Sequence, residues 1–342
     1  MANIGCMSVS LKLQKRDGRV FEAAVKDAIT LSRTPNEASK LSCCILRDEI
    51  TAENGDILAM TLDDVHNQFY GYIFETTKHD SYCDIVAYDQ LIFLANNTDT
   101  MSYSDITATD LTLRIVDDYE LKTLDPPQMM DTGYKIPSRI EDNVTLLQMI
   151  TTALDLTKDN TGDRFYLWDD FGALSLHSEE WLALTTSYAT MDNIQDYSYV
   201  ENTNDMKNRI KLSDNNEDEK ERKVYTAEDE KSKAAYGFLQ YSAKLETGEN
   251  GDEKAKQLLS DKNKVSQKLS VSGMQGDIRV RGGTPVFVDL FSPTGVKREY
   301  IRGWFRTTSV THKIDAGLHT MDLSLECIEM YTNWNDIGVG KP

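Results

Sequence analysis

The stretch CDIVAYDQLIFLANN, residues 83–97, sets Cys83, Asp84 and Asp89 close together, and a thiol beside carboxylates is raw material for nucleophilic or metal chemistry. Just upstream, HDSYCD at residues 79–84 places His79 and Cys83 four apart, with Asp80 and Asp84 beside them. On a helix that spacing can hold a metal. Here it leads into a strand, where side chains four apart lie about 13 Å from each other. Asp169 and Asp170 offer adjacent carboxylates, but neighbours in a tight turn diverge, whereas glycoside hydrolysis needs two carboxyl groups facing one sugar across about 5 to 9 Å. RVRGG at residues 279–283 presents Arg279 and Arg281 for phosphate. Strand alternation puts both on one face, toward an acidic partner surface or open solvent. His312 and His319 flank a hairpin turn with no third ligand near in sequence, which favours structural roles. Trp304 and Phe305, with Arg302 and Arg306, are the aromatic and arginine anchors that interfaces favour, and a half-buried sheet gives the same pattern. No P-loop, GxGxxG, HExxH or GxSxG sequence is present. The sequence therefore predicts no catalytic, cofactor-binding or metal-binding residue and no cofactor.

The elements that would position these residues belong to a chain of 342 residues, long enough for two or three domains with their own cores. It opens without an apolar run after a basic segment, and nowhere do eighteen uncharged apolar residues follow one another. The expectation is a soluble protein with no membrane contact. Five cysteines (Cys6, Cys43, Cys44, Cys83, Cys327) without a CxxC spacing fit buried free thiols in a reducing compartment. A net charge of −19 argues against binding nucleic acid through its phosphates. Residues 84–142 hold twelve acids and four bases, and residues 253–302 hold five acids and ten bases, an asymmetry that could steer one copy against the next in a ring.

Residues 26–103 carry short apolar runs (AITLSR, KLSCCILRD, DILAMTLDD, QFYGYIFETTK, CDIVAYDQLIFLA) between turn formers, which predicts an antiparallel barrel or sandwich. Alternation puts Tyr70, Tyr72, Phe74 and Thr76 on one face and Gly71, Ile73, Glu75 and Thr77 on the other. Two amphipathic helices follow. Thr107 and Asp110 form a short capping box before the stripe Leu111, Ile115, Val116 and Tyr119. Asp142 or Asn143 caps the second, whose stripe is Leu147, Ile150 and Leu154. RFYLWDDFGALSLHS predicts a β-hairpin turning at Asp169, Asp170 and Gly172. RIKLS and KVYTA predict another strand pair, joined by the polar run at residues 214–223. SKAAYGFLQYSAKL and GDEKAKQLLSDKNKV predict helices. The tail returns to strands, KLSVSGM, DIRVRGGTPVFVDLF, GWFRTTSVTHKI and HTMDLSLECIEM, the last two forming a long hairpin across DAGL. Without βαβ alternation a nucleotide-binding parallel sheet is unexpected.

Three stretches carry a family resemblance. YGYIFETTKHDSYCDIVAYDQLIFLANNTDTMSYSDITATDL contains an Ala-Tyr-Asp-x-Leu corner at Ala87, Tyr88, Asp89, Gln90 and Leu91, followed by an amphipathic helix. IEDNVTLLQMITTALDLTKDNTGDRFYLWDDFGALSLHS joins a helix to a hairpin, and GDIRVRGGTPVFVDL with TSVTHKIDAGLHTMDLSL closes the chain in strands. Together they resemble the XkdQ-type (PBSX-like) baseplate hub proteins of contractile-tailed phages and R-type bacteriocins (tailocins). The first 25 residues, the 214–223 loop and the long SPTGVKREYIRGW segment depart from that pattern.

The resemblance implies an α+β, mainly β chain: two tube-protein-like antiparallel β-barrels with helix and hairpin modules between them. It implies a first barrel at residues 1–103, modules at 104–190, and a second barrel at 191–342 with a helical insertion at about 227–268. It implies a structural virion component of a contractile injection system and no enzyme. The hub would be a homotrimer forming a pseudo-sixfold ring, with a tail tube or tube-initiator protein, a central spike and baseplate wedge proteins as partners. Such a hub assembles in the bacterial cytoplasm and ends in the phage tail or bacteriocin particle. In that setting CDIVAYDQLIFLANN reads as a barrel strand turning into a helix start, with Tyr88 and Leu91 packing and the Asp89 carboxylate capping the turn. The alternatives are a tail-associated peptidoglycan hydrolase, which needs a constellation absent from these motifs, and a cell-wall-binding module.

Overall fold

A computed structural model describes residues 8–47, 51–63, 65–213, 223–245, 250–292 and 299–330. Cys6, residues 214–222 of the polar run and residues 293–298 of the SPTGVKREYIRGW segment lie outside the described residues. Strand residues, at 49%, far outnumber helical ones, at 19%, so the chain is mainly β. It forms two compact units, one from the chain up to Tyr197 together with Ser270 onward, the other Ser198–Leu269.

The first seven strands are β1 (Val9–Gln14), β2 (Val20–Glu22), β3 (Ile29–Arg33), β4 (Lys40–Leu46), β5 (Ile57–Leu62), β6 (His66–Lys78) and β7 (Tyr82–Tyr88). Their order is β3-β4-β7-β6-β5-β1-β2, with antiparallel pairing throughout. Alternation sends Leu11, Leu13, Leu41, Ile45, Leu58, Met60, Ile73, Ile85 and Ala87 into one apolar core. Past β2 the chain returns to β4: Val25 bridges Ile45, and Lys26 N–H donates to the Cys44 carbonyl at 2.8 Å. That contact closes the strands into a barrel and removes the free edge. On β6 the alternation holds from Tyr70 to Ile73, then a bulge between Ile73 and Glu75 interrupts it and leaves Glu75 exposed.

The next elements are α1 (Leu91–Asn96), β8 (Thr98–Tyr103), α2 (Ala108–Asp118), β9 (Arg139–Thr145), α3 (Leu146–Thr161), β10 (Phe165–Asp169), β11 (Leu174–Ser178) and α4 (Glu179–Leu182). They share a second core, with Leu111, Ile115, Ile150, Leu154, Leu167 and Leu176 at its centre. The capping box is present, Thr107 Oγ1 accepting from Asp110 N–H at 3.1 Å. The expected cap of α3 at Asp142 or Asn143 is corrected. Those residues are in β9, which pairs with β8, and Thr145 Oγ1 caps the helix by accepting from Gln148 N–H at 3.1 Å. The pairing prevails because Asn143 turns left-handed, φ 51°, inside an irregular stretch of the ladder.

Beyond β12 (Leu184–Thr190), the strand β13 (Asp196–Asn202) carries the chain into the second unit, which holds β14 (Arg209–Ser213), β15 (Val224–Glu228), α5 (Glu230–Tyr236), β16 (Gln240–Lys244) and α6 (Gly251–Lys262). Its sheet, β15-β14-β16, packs Ile210, Leu212 and Leu245 against Ala255, Leu258 and Leu259 of α6. The helix expected over SKAAYGFLQYSAKL is shorter than predicted. Gly237, at φ 82°, ends it after α5, and the alternation of half-buried Tyr241 and Ala243 with exposed Gln240, Ser242 and Lys244 makes β16.

The chain returns through β17 (Ser266–Gln275) to β18 (Pro285–Ser292), β19 (Glu299–Asp315) and β20 (Leu318–Met330). The long hairpin β19–β20 pairs as expected, and β18 pairs with β19 on one edge and with β12 in parallel on the other. Arg279 and Arg281 are not on a strand, as the sequence had suggested. Residues 277–284 fold into two turns, Val280 N–H to Asp277 O and Thr284 N–H to Arg281 O, both 3.1 Å. Val310–Ile314 of β19 then lie antiparallel to Arg33–Ile29 of β3, joining the strands of both chain ends into one 13-stranded sheet.

The observed cap makes a direct test. Thr145→Ala should lower stability by about 1 kcal/mol in thermal melts, and Asp142→Ala by clearly less. The reverse ranking would place the cap where the sequence put it.

Candidate functional site

Where β3, the β7–α1 corner, the β10–β11 turn and the 277–284 turns meet, the first unit buries a set of charges. Arg33 is in phase with Ile29 and Leu31, so its side chain points inward with theirs. It is 5% exposed, donates from one Nη to the Gln68 carbonyl, and its other Nη has no hydrogen-bond partner among the described residues. Asp89, 2% exposed, directly follows β7; its Oδ2 accepts from Ser39 N–H at 2.8 Å and its Oδ1 from Leu91 N–H at 3.0 Å. The carboxylate thus caps the turn into α1, as the sequence suggested. Leu91 is fully buried and Tyr88 meets Phe74 edge-on, ring centroids 5.8 Å apart.

Asp169 ends β10, and its Oδ1 accepts from Gly172 N–H at 2.8 Å across the hairpin turn. Its Oδ2 accepts from Gln90 Nε2 at 2.7 Å. All four carboxylate oxygens of Asp89 and Asp169 are therefore held by fixed donors. Arg281 closes the set, donating to the Asp169 carbonyl and to Asp170 Oδ1, both at 3.3 Å, with its guanidinium 4.9 Å from the Trp168 ring centroid. Asp169 and Asp170 diverge, as expected of turn residues: one faces inward to Gln90, the other outward to Arg281.

Burial pushes the Asp89 carboxyl up to about 6, against the Ser39 and Leu91 bonds and the Arg33 charge. Burial, then the Asp89 charge, pushes Asp169 up to about 7. Burial pulls Arg33 well below its ordinary value, with the Arg281 charge adding to it and the three aspartates opposing; a guanidinium nevertheless stays protonated at neutral pH.

His312 and His319 do come together. His312 Nε2 lies 3.0 Å from the Val280 carbonyl, so it carries the proton; its Nδ1, 3.0 Å from His319 Nε2, therefore accepts from that nitrogen. Burial keeps His312 neutral by lowering it to about 3, so the pair ties β19, β20 and the 277–284 turns together. His79 and Cys83 do not form a site. The β6–β7 reversal that the sequence reading treated as extended strand folds His79 Nε2 to 3.1 Å from Asp84 Oδ2, while Cys83 turns into the barrel core. Among the described residues no three His, Cys, Asp or Glu side chains cluster to hold a metal ion. Phe305 is fully buried, and Trp304 is half-buried edge-on to Phe287 at 5.4 Å. Arg306 pairs with Glu179 of α4 and, at 3.4 Å, with Glu326. The four residues read as a half-buried sheet.

Sequence reading missed Arg33, Gln90 and the Arg306–Glu179 pair. One signal was available: Arg33 closes AITLSR in the inward phase of its strand, where a charge needs a partner. No local signal pairs Glu179 with Arg306, which are 127 residues apart.

The arrangement buries Asp89 and Asp169 and leaves Asp170 turned outward to Arg281. It locks a barrel corner to a hairpin. A family model described as YQBQ-like matches residues 29–326, so the chain belongs to the YqbQ-like family. It is 28% identical over 263 residues to the uncharacterized protein YqbQ of Bacillus subtilis (strain 168), covering 75% of this chain and 77% of that one. It is 29% identical over 268 residues to the phage-like element PBSX protein XkdQ of the same organism, with the same coverage. The fold is similar to that of a tail protein from Neisseria meningitidis MC58, with TM-score 0.64 and 13% identity over 93% of this chain and 96% of that one. It is also similar to the 43 kDa tail protein of prophage MuSo2 from Shewanella oneidensis, at TM-score 0.62 and 12% identity over 92% and 98%.

Two measurements probe the network. Asp89→Ala leaves two backbone donors unpaired beside a buried cation and should cost about 3 kcal/mol in denaturant unfolding; a loss below about 1 kcal/mol would mean that the corner does not depend on it. Both carboxyls bind protons more tightly folded than unfolded, so their contribution is full below the ordinary value of 3.8 and is lost as pH rises through about 6 to 7. Asp169→Asn should therefore flatten the decline in melting temperature between about pH 4 and pH 7. An unchanged slope would show that the pair does not titrate there.

Proposed function

We propose that the chain is the structural central hub of a contractile tail baseplate, a homotrimer whose pseudo-sixfold ring joins a sixfold tail tube to a threefold spike. The observation that carries this reading is the β3–β19 pairing. It fuses the strands of the N-terminal barrel with those of the C-terminal β-structure in one ladder, so each chain can present two β-modules in fixed relation. Three such chains offer six modules to a tube and a threefold axis to a spike. The family assignment, the likeness to XkdQ of a phage-like element, and a fold similar to two tail proteins support the same reading.

In this role the tail tube or tube-initiator protein, the spike and the wedge proteins are the partners, and the hub is built in the bacterial cytoplasm before it joins the particle. The reading is structural and not hydrolytic: Asp89 and Asp169 are buried, and each of their oxygens is held by a backbone or glutamine donor instead of facing a sugar across a cleft.

Light scattering on the purified protein, alone and with the spike protein of the same particle, tests the proposal. The expected mass is three times that of the 38.7 kDa chain, alone or once the spike is added. A chain that stays monomeric and does not bind the spike would overturn it.

A further inference from the structure

The sequence contains the tetrapeptide Glu-Asn-Gly-Asp twice, at residues 53–56 and 249–252. An asparagine followed by glycine is the most reactive context for intramolecular attack on a side-chain amide, because glycine puts no side chain in the way of its own nitrogen. The two copies stand in opposite environments.

In the first copy the nucleophile is tied down. Gly55 N–H donates to the Ile73 carbonyl at 2.7 Å within the barrel wall, and Asn54 Oδ1 accepts from Thr76 Oγ1 at 3.2 Å. The Asn54 carbonyl also accepts from Arg16, and Gly55 is held at φ 86°. Attack would require opening the turn that leads into β5 and β6, whose core residues are fully buried.

In the second copy Asn250 is the N-cap of α6, and Gly251 is the first helical residue. The Gly251 N–H is one of the orphan donors of the helix start and has no hydrogen-bond partner among the described residues. Asn250 Oδ1 accepts from Asp252 N–H at 3.2 Å and from Glu253 N–H at 3.5 Å. Both bonds are long, and both polarise the amide carbonyl as an oxyanion hole does, at the positive end of a helix. Asn250 is exposed, with ψ at 106°, and Gly251 is buried against the Tyr225 ring, so the reactive geometry needs a backbone rotation that opens the helix end locally.

We propose that Asn250–Gly251 is a site of spontaneous deamidation and isoaspartate formation in the folded protein, while Asn54–Gly55 is protected. Gly251 N attacks Asn250 Cγ; the N–Cγ bond forms, the Cγ–Nδ2 bond breaks, and ammonia leaves with the amide proton. Water then opens the five-membered imide at either carbonyl, giving an aspartyl or an isoaspartyl linkage, with no oxidant or reductant consumed. The isoaspartyl form moves the backbone onto the former side chain. It thereby removes the cap and the first helical bond, Lys254 N–H to Asn250 O at 3.0 Å. Ala255, Leu258 and Leu259 of this helix close a small core, so the modification should loosen the second unit and leave the barrel intact.

The test is to incubate the full chain at mildly alkaline pH, folded and in denaturant, and to map isoaspartate by peptide mass spectrometry and by labelling with isoaspartyl methyltransferase. In the folded chain Asn250 should react at least about tenfold faster than Asn54, a ratio that collapses in denaturant, where no local opening is needed. Asn250→Ser, which keeps a capping oxygen, should abolish the methyltransferase signal from that peptide. Equal rates at the two sites when folded, or faster reaction at Asn54, would overturn the proposal.

Discussion

The first unit depends on one run of backbone pairing, Val310–Ile314 of β19 laid antiparallel to Ile29–Arg33 of β3. Each strand belongs to a different end of the chain, so closing the ladder costs the loop entropy of nearly the whole sequence. What repays it is burial. Ile314 enters the N-terminal barrel core beside Ile29 and Leu31, and on the facing edge β3 still pairs with β4. The β3 strand therefore has both neighbours filled, and register on one side fixes register on the other.

The charges of the site follow from that pairing. Once Ile29 and Leu31 face inward, Arg33 has to as well, and a buried guanidinium demands compensation. The charges of Asp89, Asp169 and Asp170 oppose that cost from two elements far apart in sequence, and Gln90 and Arg281 hold Asp169 in place. A network of this kind contributes little net stability compared with an apolar filling. It does specify which corner meets which hairpin turn, because a misplaced partner strands a buried charge. Geometric precision of that sort matters more to a protein that must fit neighbours than to one that only has to stay folded.

The elements legible in the sequence were those whose period and turn chemistry are local. The capping box at Thr107, the hairpin turning at Asp169 and Gly172, and the β19–β20 hairpin all carry their signals within a few residues. The errors came where a distant partner decides. Residues 139–145 resemble a helix approach but are claimed by β8, and Gln240–Lys244 follow a helix yet complete a sheet with β14. Residues 279–283 alternate like a strand and are instead folded into turns beneath the His312–His319 pair, at a position no local pattern announces. The carboxylate network was half visible: the Asp89 cap could be read from its corner, but the arginine opposite it could only be suspected from its phase in AITLSR.

The same distinction explains how a fold can persist at 12 to 13% identity with the tail proteins. Ladders are made by the backbone and ask of each residue only its side of the sheet, a constraint that many sequences meet. Buried charges ask for particular partners and so must change together or not at all. Divergence within this family should therefore run freely along the strands and stop at Arg33, Asp89 and Asp169, unless all three are replaced by apolar residues of matching volume. The fold is held by the permissive part of the sequence, and the join between its modules by the restrictive part.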